Sequence, residues 1–199
     1  MLTLLIARHG NTFDSGDTIL RVGKRTDLPL SNSGREQAKK LGEFLNEKYL
    51  KIDRVFVSSL KRTQETALIA LPNTTAEIDP IFDEIDYGID DGKPEAEVVA
   101  RVGEEALKQW EESAIPPEGW LIEPEKVIQD WQDFAKKCVA GKDVTILVVT
   151  SNGIARFAPY IAGDFKSFSK THSIKMRTGA VSALQFNNET WQVMYWDVR

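Results

Sequence analysis

The segment Leu2-Thr3-Leu4-Leu5-Ile6-Ala7-Arg8-His9-Gly10-Asn11-Thr12 decides the reading of this chain. An unbroken apolar run ends abruptly in Arg8-His9-Gly10. Short runs of this kind read as strands buried on both faces, the pattern of a parallel sheet. In open α/β sheets, ligands gather outside the carboxyl ends of the strands. A cation and an imidazole are thus delivered to the edge where chemistry is done, and a glycine turns the chain. Alone, the tripeptide is equally an ordinary strand end with a solvated arginine, so the rest of the chain must decide.

Working outward, a loop without clear period covers 10–30, and a helix follows. Ser33-Gly34-Arg35-Glu36 reads as a capping box, and Ala38, Leu41 and Leu45 mark one helical face. Asp53 to Val57 is a second strand, Lys61 to Leu71 a helix ended by Pro72, and Ala76 to Asp79 a short third strand. The acidic, glycine-punctuated stretch Phe82 to Lys93 lacks regular structure. Val98, Val102, Ala106 and Trp110 recur every fourth residue and predict one helix from Pro94 onward. Ile115 to Trp120 is a turn. Pro124 opens another helix with a stripe through Trp131, Phe134 and Cys138. Val144 to Val149 is a second apolar strand, led in by Gly141 and Lys142. It runs into Thr150-Ser151-Asn152-Gly153, a short helix to about Ala162, and a polar, basic loop from Gly163 to Arg177. Strands 180–186 and 191–196 close the chain as a hairpin through Asn187-Asn188-Glu189. Strands separated by helices imply an α/β fold, a three-layer α/β/α sandwich with a mostly parallel sheet. We expect one domain over 1–199, with a helical insertion at about 94–140.

Composition narrows the function classes. A net charge of −5 argues against a general nucleic-acid binder, yet a local basic pocket can still serve an anionic substrate. One cysteine, Cys138, permits no intrachain disulfide and fits a reducing, cytoplasmic setting. The apolar opening run is too short for a signal peptide or a membrane span. No His/Cys/Asp spacing suggests a metal, and there is neither a dinucleotide fingerprint nor a P-loop, so no cofactor is expected.

Polar residues follow four strands and could converge: Arg8 and His9; Ser58 to Ala67 with Arg62; Glu84; and Ser151-Asn152-Gly153. Two guanidinium forks and a helix N-terminus suit a dianion. A neutral imidazole can attack phosphorus, and a carboxylic acid can protonate the leaving alcohol. Blander alternatives stand beside these. Arg62 could be a solvated helix charge paired with Glu65 or Glu36, and Glu84 one loop acid among several, with Asp86 its rival as the acid.

In order and context, these segments resemble the histidine phosphatase superfamily, the phosphoglycerate mutase-like group. The resemblance runs through Arg8-His9-Gly10-Asn11-Thr12, Gly23 to Ser31, Gly34 with Gln37-Ala38, Ser58 to Ala67, Glu84-Ile85-Asp86-Tyr87-Gly88 and the final strands. It implies a six-stranded mixed sheet with one antiparallel strand near the C-terminus. It also implies His9 as the phosphorylated nucleophile, Glu84 as proton donor, and a phosphate site of Arg8, Arg62, Asn11, Ser151 and Asn152. One position departs from the pattern: Ser151 stands where the family normally has a second histidine. The only other histidine, His172, lies in the polar loop and is an accessory candidate. Two readings follow: a phosphomonoester hydrolase acting on a small phosphorylated metabolite, or a weak or inactive phospholigand-binding protein that kept the anion pocket. A phosphoglycerate mutase ranks behind both. Neither nucleic acid nor membrane is an expected partner, and a homodimer is left open.

Overall fold

The computed structural model describes residues 1–141, 144–163 and 165–199. The Lys142 lead-in and position 164 of the polar loop lie outside them. Six strands form one sheet: β1 (Leu2–Arg8), β2 (Arg54–Val57), β3 (Ala76–Ile78), β4 (Thr145–Thr150), β5 (Val181–Asn187) and β6 (Thr190–Val198). Their order is β3-β2-β4-β1-β5-β6. β1, β2, β3 and β4 run parallel, while β5 is antiparallel to both its neighbours, β1 and β6. The apolar runs of β1 and β4 lie side by side at the centre, where both faces must be covered.

Period-2 alternation sorts the side chains into two cores. Leu4, Ile6, Ile146 and Val148 face one layer, together with Trp110, Trp131, Phe134 and Phe157. Leu5, Ala7, Leu147 and Val149 face the other, against Leu41 and Leu45 of α1 (Asn32–Lys48) and Ala67 and Ala70 of α2 (Lys61–Ala70). The remaining helices follow in chain order: α3 (Glu95–Val102), α4 (Glu104–Ser113), α5 (Pro124–Ala140), α6 (Asn152–Ala155) and α7 (Phe165–Thr171). The three-layer α/β/α arrangement is thus the one the strand pattern implies.

Several local expectations need correction. The helix predicted from Pro94 is two, α3 and α4, broken at Gly103, whose φ of 86° lies outside helical space. Four-residue periodicity continues across the break, so the pattern alone could not reveal it. The N-cap of α1 is Ser31, whose side chain accepts from Gly34 N, and not Ser33. The short helix after β4 ends at Ala155, and a 3₁₀ turn covers Ala158–Ala162. The polar stretch after Gly163 contains α7, anchored by buried Phe165. Short 3₁₀ turns also punctuate the acidic stretch. The hairpin is as read, with Asn188 and Glu189 both at positive φ. Among the described residues, no helix is long and apolar enough to cross a membrane.

α1 and α2 meet at Gly42, where a Cβ would lie 2.4 Å from the Ala70 carbonyl oxygen. Backbone cannot yield as a side-chain tip can. Gly42→Ala should therefore destabilise the fold by about 1–3 kcal/mol, read as a lower urea midpoint.

Candidate active site

At the carboxyl end of the sheet, β1 and β4 open a cleft of about 420 Å³. Arg8, His9, Asn11, Glu84 and Asn152 line it. Arg62 and Ser151 are fully buried, just behind the residues that line it. His172 is separate: it is exposed, stacked on Phe168 at 4.7 Å and paired with Thr171. The accessory role considered for His172 therefore has no geometric support in this cleft.

His9 continues the sheet, its N–H donating to the Thr150 carbonyl at 3.0 Å. Its Nδ1 lies 2.7 Å from the Gly10 carbonyl. A carbonyl can only accept, so Nδ1 carries the ring proton and Nε2 keeps a lone pair. Burial lowers the His9 pKa well below 6.5, and the nearby Arg62 and Arg8 cations lower it further. The imidazole is thus neutral, oriented and flanked by positive charge. The turn after it is tight: a Cβ on Gly10 would meet the Gly34 carbonyl oxygen at 2.3 Å. Gly10 N–H also donates to Thr66 Oγ1 at 3.1 Å, which ties α2 to the same turn.

Arg62 donates to the carbonyls of Thr26 (3.0 Å) and Gly23 (3.2 Å). It does not pair with Glu65 or Glu36; those acids hold Arg35 and Lys39. Arg8 donates to the Met176 carbonyl at 2.5 Å. Arg8 Nε, Arg62 Nε and Ser151 Oγ are buried and lack hydrogen-bond partners among the described residues. Buried donors are rarely left this way, and here they gather around one imidazole and one strand end.

The acids between 83 and 91 sort themselves by partner. Asp83 accepts from Ser59 N and Oγ, both at 2.7 Å. Asp86 pairs with Arg25 at 2.8 Å and caps Gly88. Asp90 takes Arg101 and Trp120, and Asp91 holds the 23–26 loop. Glu84 alone of these acids lines the cleft. It is 5% exposed and accepts from Ile85 N (2.9 Å) and Gly153 N (3.2 Å). A Cβ at Gly153 would fall 2.1 Å from Glu84 Oε1, so a larger residue there would make this carboxylate shift.

Asn11 is engaged through both ends of its amide, by Ser33 (3.1 Å) and Thr178 (2.5 Å), and so braces the turn. Asn152 Oδ1 accepts from Met176 N at 2.9 Å. The sequence reading missed Arg21, Tyr87, Arg156 and Lys175, which also line the cleft. Burial and the nearby Glu84 charge push the Tyr87 hydroxyl pKa up. The readable signal was Arg156, a lone cation one helical turn after Asn152 in an apolar stretch. Among the described residues, no group of three or more His, Cys, Asp or Glu side chains is arranged to hold a metal ion.

The model of the histidine phosphatase superfamily (branch 1) matches residues 4–199, and the chain belongs to that superfamily. It is 29% identical over 177 residues to a phosphoglycerate mutase of Candida albicans, covering 82% of this chain and 68% of that protein. It is 39% identical over 102 residues to fructose-2,6-bisphosphatase TIGAR B of Danio rerio; that match takes in 47% of this chain and only 38% of the relative. In fold it is similar to a mycobacterial glucosyl-3-phosphoglycerate phosphatase, with a TM-score of 0.82 at 19% identity, covering 100% of this chain and 99% of that one.

The low His9 pKa can be checked directly. Its ring Cε1 proton should hold the neutral-form NMR shift as pH falls through 6.5. Arg62→Met removes a neighbouring positive charge, makes the imidazolium easier to form, and should move the titration upward.

Proposed function

We propose that the protein is a phosphomonoester hydrolase that works through a phosphohistidine on His9. The observation that carries this reading is the state of His9: neutral, with Nδ1 held by Gly10 and Nε2 free, beside two arginines that have no carboxylate partner among the described residues. An anion pocket needs the arginines but has no need of an oriented, neutral nucleophile. In the reaction, Arg8 and Arg62 hold the phosphoryl oxygens. Nε2 attacks phosphorus, and the bond to the leaving alcohol breaks. Glu84 gives that alcohol a proton, then takes one from the water that hydrolyses the phosphohistidine. The cleft volume suits a small phosphorylated metabolite.

Incubation with a phosphodonor should leave an acid-labile, base-stable phosphoryl group on His9. Glu84→Gln should slow alkyl phosphates far more than nitrophenyl phosphate, because an alkoxide needs the proton and a nitrophenolate hardly does. Equal losses on both substrates would move the acid elsewhere.

A second reading rests on Ser151. Its Oγ, buried and without a partner among the described residues, can give one hydrogen bond to a phosphoryl oxygen but adds no charge. By comparison with loss of one oxyanion donor, a serine where the family normally has histidine would cost about 3–4 kcal/mol, roughly 10²–10³ in rate. That describes a slow enzyme, and at the limit a phospholigand-binding protein. Ser151→His should raise turnover of a generic phosphomonoester, and Ser151→Ala should lower it modestly. A folded Ser151→His protein that binds phosphate but is no faster would favour the binding reading.

A further inference from the structure

On the side of α4 the cleft is bounded by a single ion pair, Lys175 Nζ to Glu111 Oε1 at 2.5 Å. Both residues line the cleft. Both also line a neighbouring cavity of about 600 Å³, formed by α4, the end of α7 and the segment after it. Among the described residues, no other side chain lines the two. Two side chains are thus the boundary between one cavity and the next.

The backbone that carries the pair is anchored on each side. Trp110, next to Glu111 on α4, is buried, and its carbonyl accepts from Arg156. Ile174 and Met176 flank Lys175 and are buried. Met176 is held through both of its main-chain groups, its N–H by Asn152 Oδ1 and its carbonyl by Arg8. The pair itself is looser, with 48% of the Lys175 side chain and 50% of the Glu111 side chain exposed. Water competes for both charges there, and an ion pair of that kind adds little to stability. Rotation of two long side chains parts it without any movement of the backbone.

The space beyond the pair is polar. The hydroxyls of Ser169, Thr171 and Ser173 and the His172 ring line it, and Glu112 and Lys170 add one charge of each sign. A hydroxyl both donates and accepts, so this surface matches a group rich in hydroxyls and shows no preference for a further anion.

We infer that the Glu111–Lys175 pair sets the length of alcohol that the cleft admits. Paired, the two side chains end the cleft after a small alcohol. Parted, they let a longer, hydroxyl-rich alcohol run on into the cavity beside α7. The inference rests on the phosphomonoester reading for the anchor at His9, and adds the residues that decide how far the alcohol reaches.

The test is binding in a His9→Asn background, which cannot form the phosphohistidine. The probes are inorganic phosphate, glucose 6-phosphate and trehalose 6-phosphate, the last a disaccharide with the same single phosphate. Calorimetry gives the affinity for trehalose 6-phosphate relative to that for glucose 6-phosphate, a ratio in which any change at the phosphate cancels. Adding Glu111→Gln should raise the ratio about two- to fivefold, the range that loss of an exposed ion pair allows. Added salt should raise it in the His9→Asn protein but not after Glu111→Gln, where no pair is left to screen. Glu111→Lys combined with Lys175→Glu rebuilds the pair in reverse and should return the ratio to its starting value, which Glu111→Lys alone should not do. A ratio unmoved by Glu111→Gln overturns the inference, and so does a reversed pair that leaves the ratio raised. The salt series needs no Glu111 variant, so a ratio constant across it overturns the inference even if those variants fail to fold. Esters that bind with a constant ratio sink the inference alone. If neither inorganic phosphate nor either ester binds, the phosphate-site reading fails and takes the inference with it.

Discussion

The parallel pairing of β1 with β4 is the constraint on which the rest depends. Arg8 lies opposite Thr150, and the next residue along, His9, donates its N–H to the Thr150 carbonyl. That register brings Arg8 and His9 beside Ser151 and Asn152. It also sends Leu4, Ile6, Ile146 and Val148 into one core and Leu5, Ala7, Leu147 and Val149 into the other. A slip of one residue would reverse the faces of β1 and carry His9 away from the end of β4. The apolar contacts that make the sheet therefore also set the geometry of the site.

The site is a concentration of positive charge kept under cover. Arg62 and Arg156 are buried and Arg8 half-buried, and all three are held by main-chain carbonyls in place of acids. Among the described residues, Glu84 is the one buried carboxylate on the cleft. Such an arrangement lowers stability, and its electrostatic effect is visible at His9. Because the folded-state pKa of His9 is depressed, the unfolded chain binds more protons as pH falls below 6.5. The stability associated with neutral His9 is complete above that value and is lost as pH falls toward the folded-state pKa.

Much of this was legible in the sequence, for a physical reason. β1 and β4 are read easily because a strand buried on both faces must be continuously apolar, and polar residues at its end then stand out. The hairpin was legible because Asn188 tolerates a left-handed conformation. That Glu84 and not Asp86 lines the cleft depended on partners from distant segments: Arg25 takes Asp86, while Gly153 leaves room for Glu84. The Gly103 break was hidden because the four-residue spacing of Val98, Val102, Ala106 and Trp110 runs on unchanged across it. Arg156 and Arg21 escaped notice because burial of a cation is decided by what packs around it. His172 stood out by residue type, yet it lies exposed just past the end of α7 and does not line the cleft.

The outer wall is secured differently from its floor. Leu20 and Pro94 form an isolated bridge, with Arg21 N–H donating to the Lys93 carbonyl and Gly92 N–H to the Arg21 carbonyl, both at 2.8 Å. The segment that begins α3 thus clamps the loop carrying Ile19 to Val22, and neither belongs to the sheet. The molecule is mechanically two parts: a rigid end bolted to the central strands, and a rim laced together from two excursions of the chain. The bonds that lace the rim are separate from those that orient the imidazole, so the segments that would meet a substrate's far end are not those that set His9.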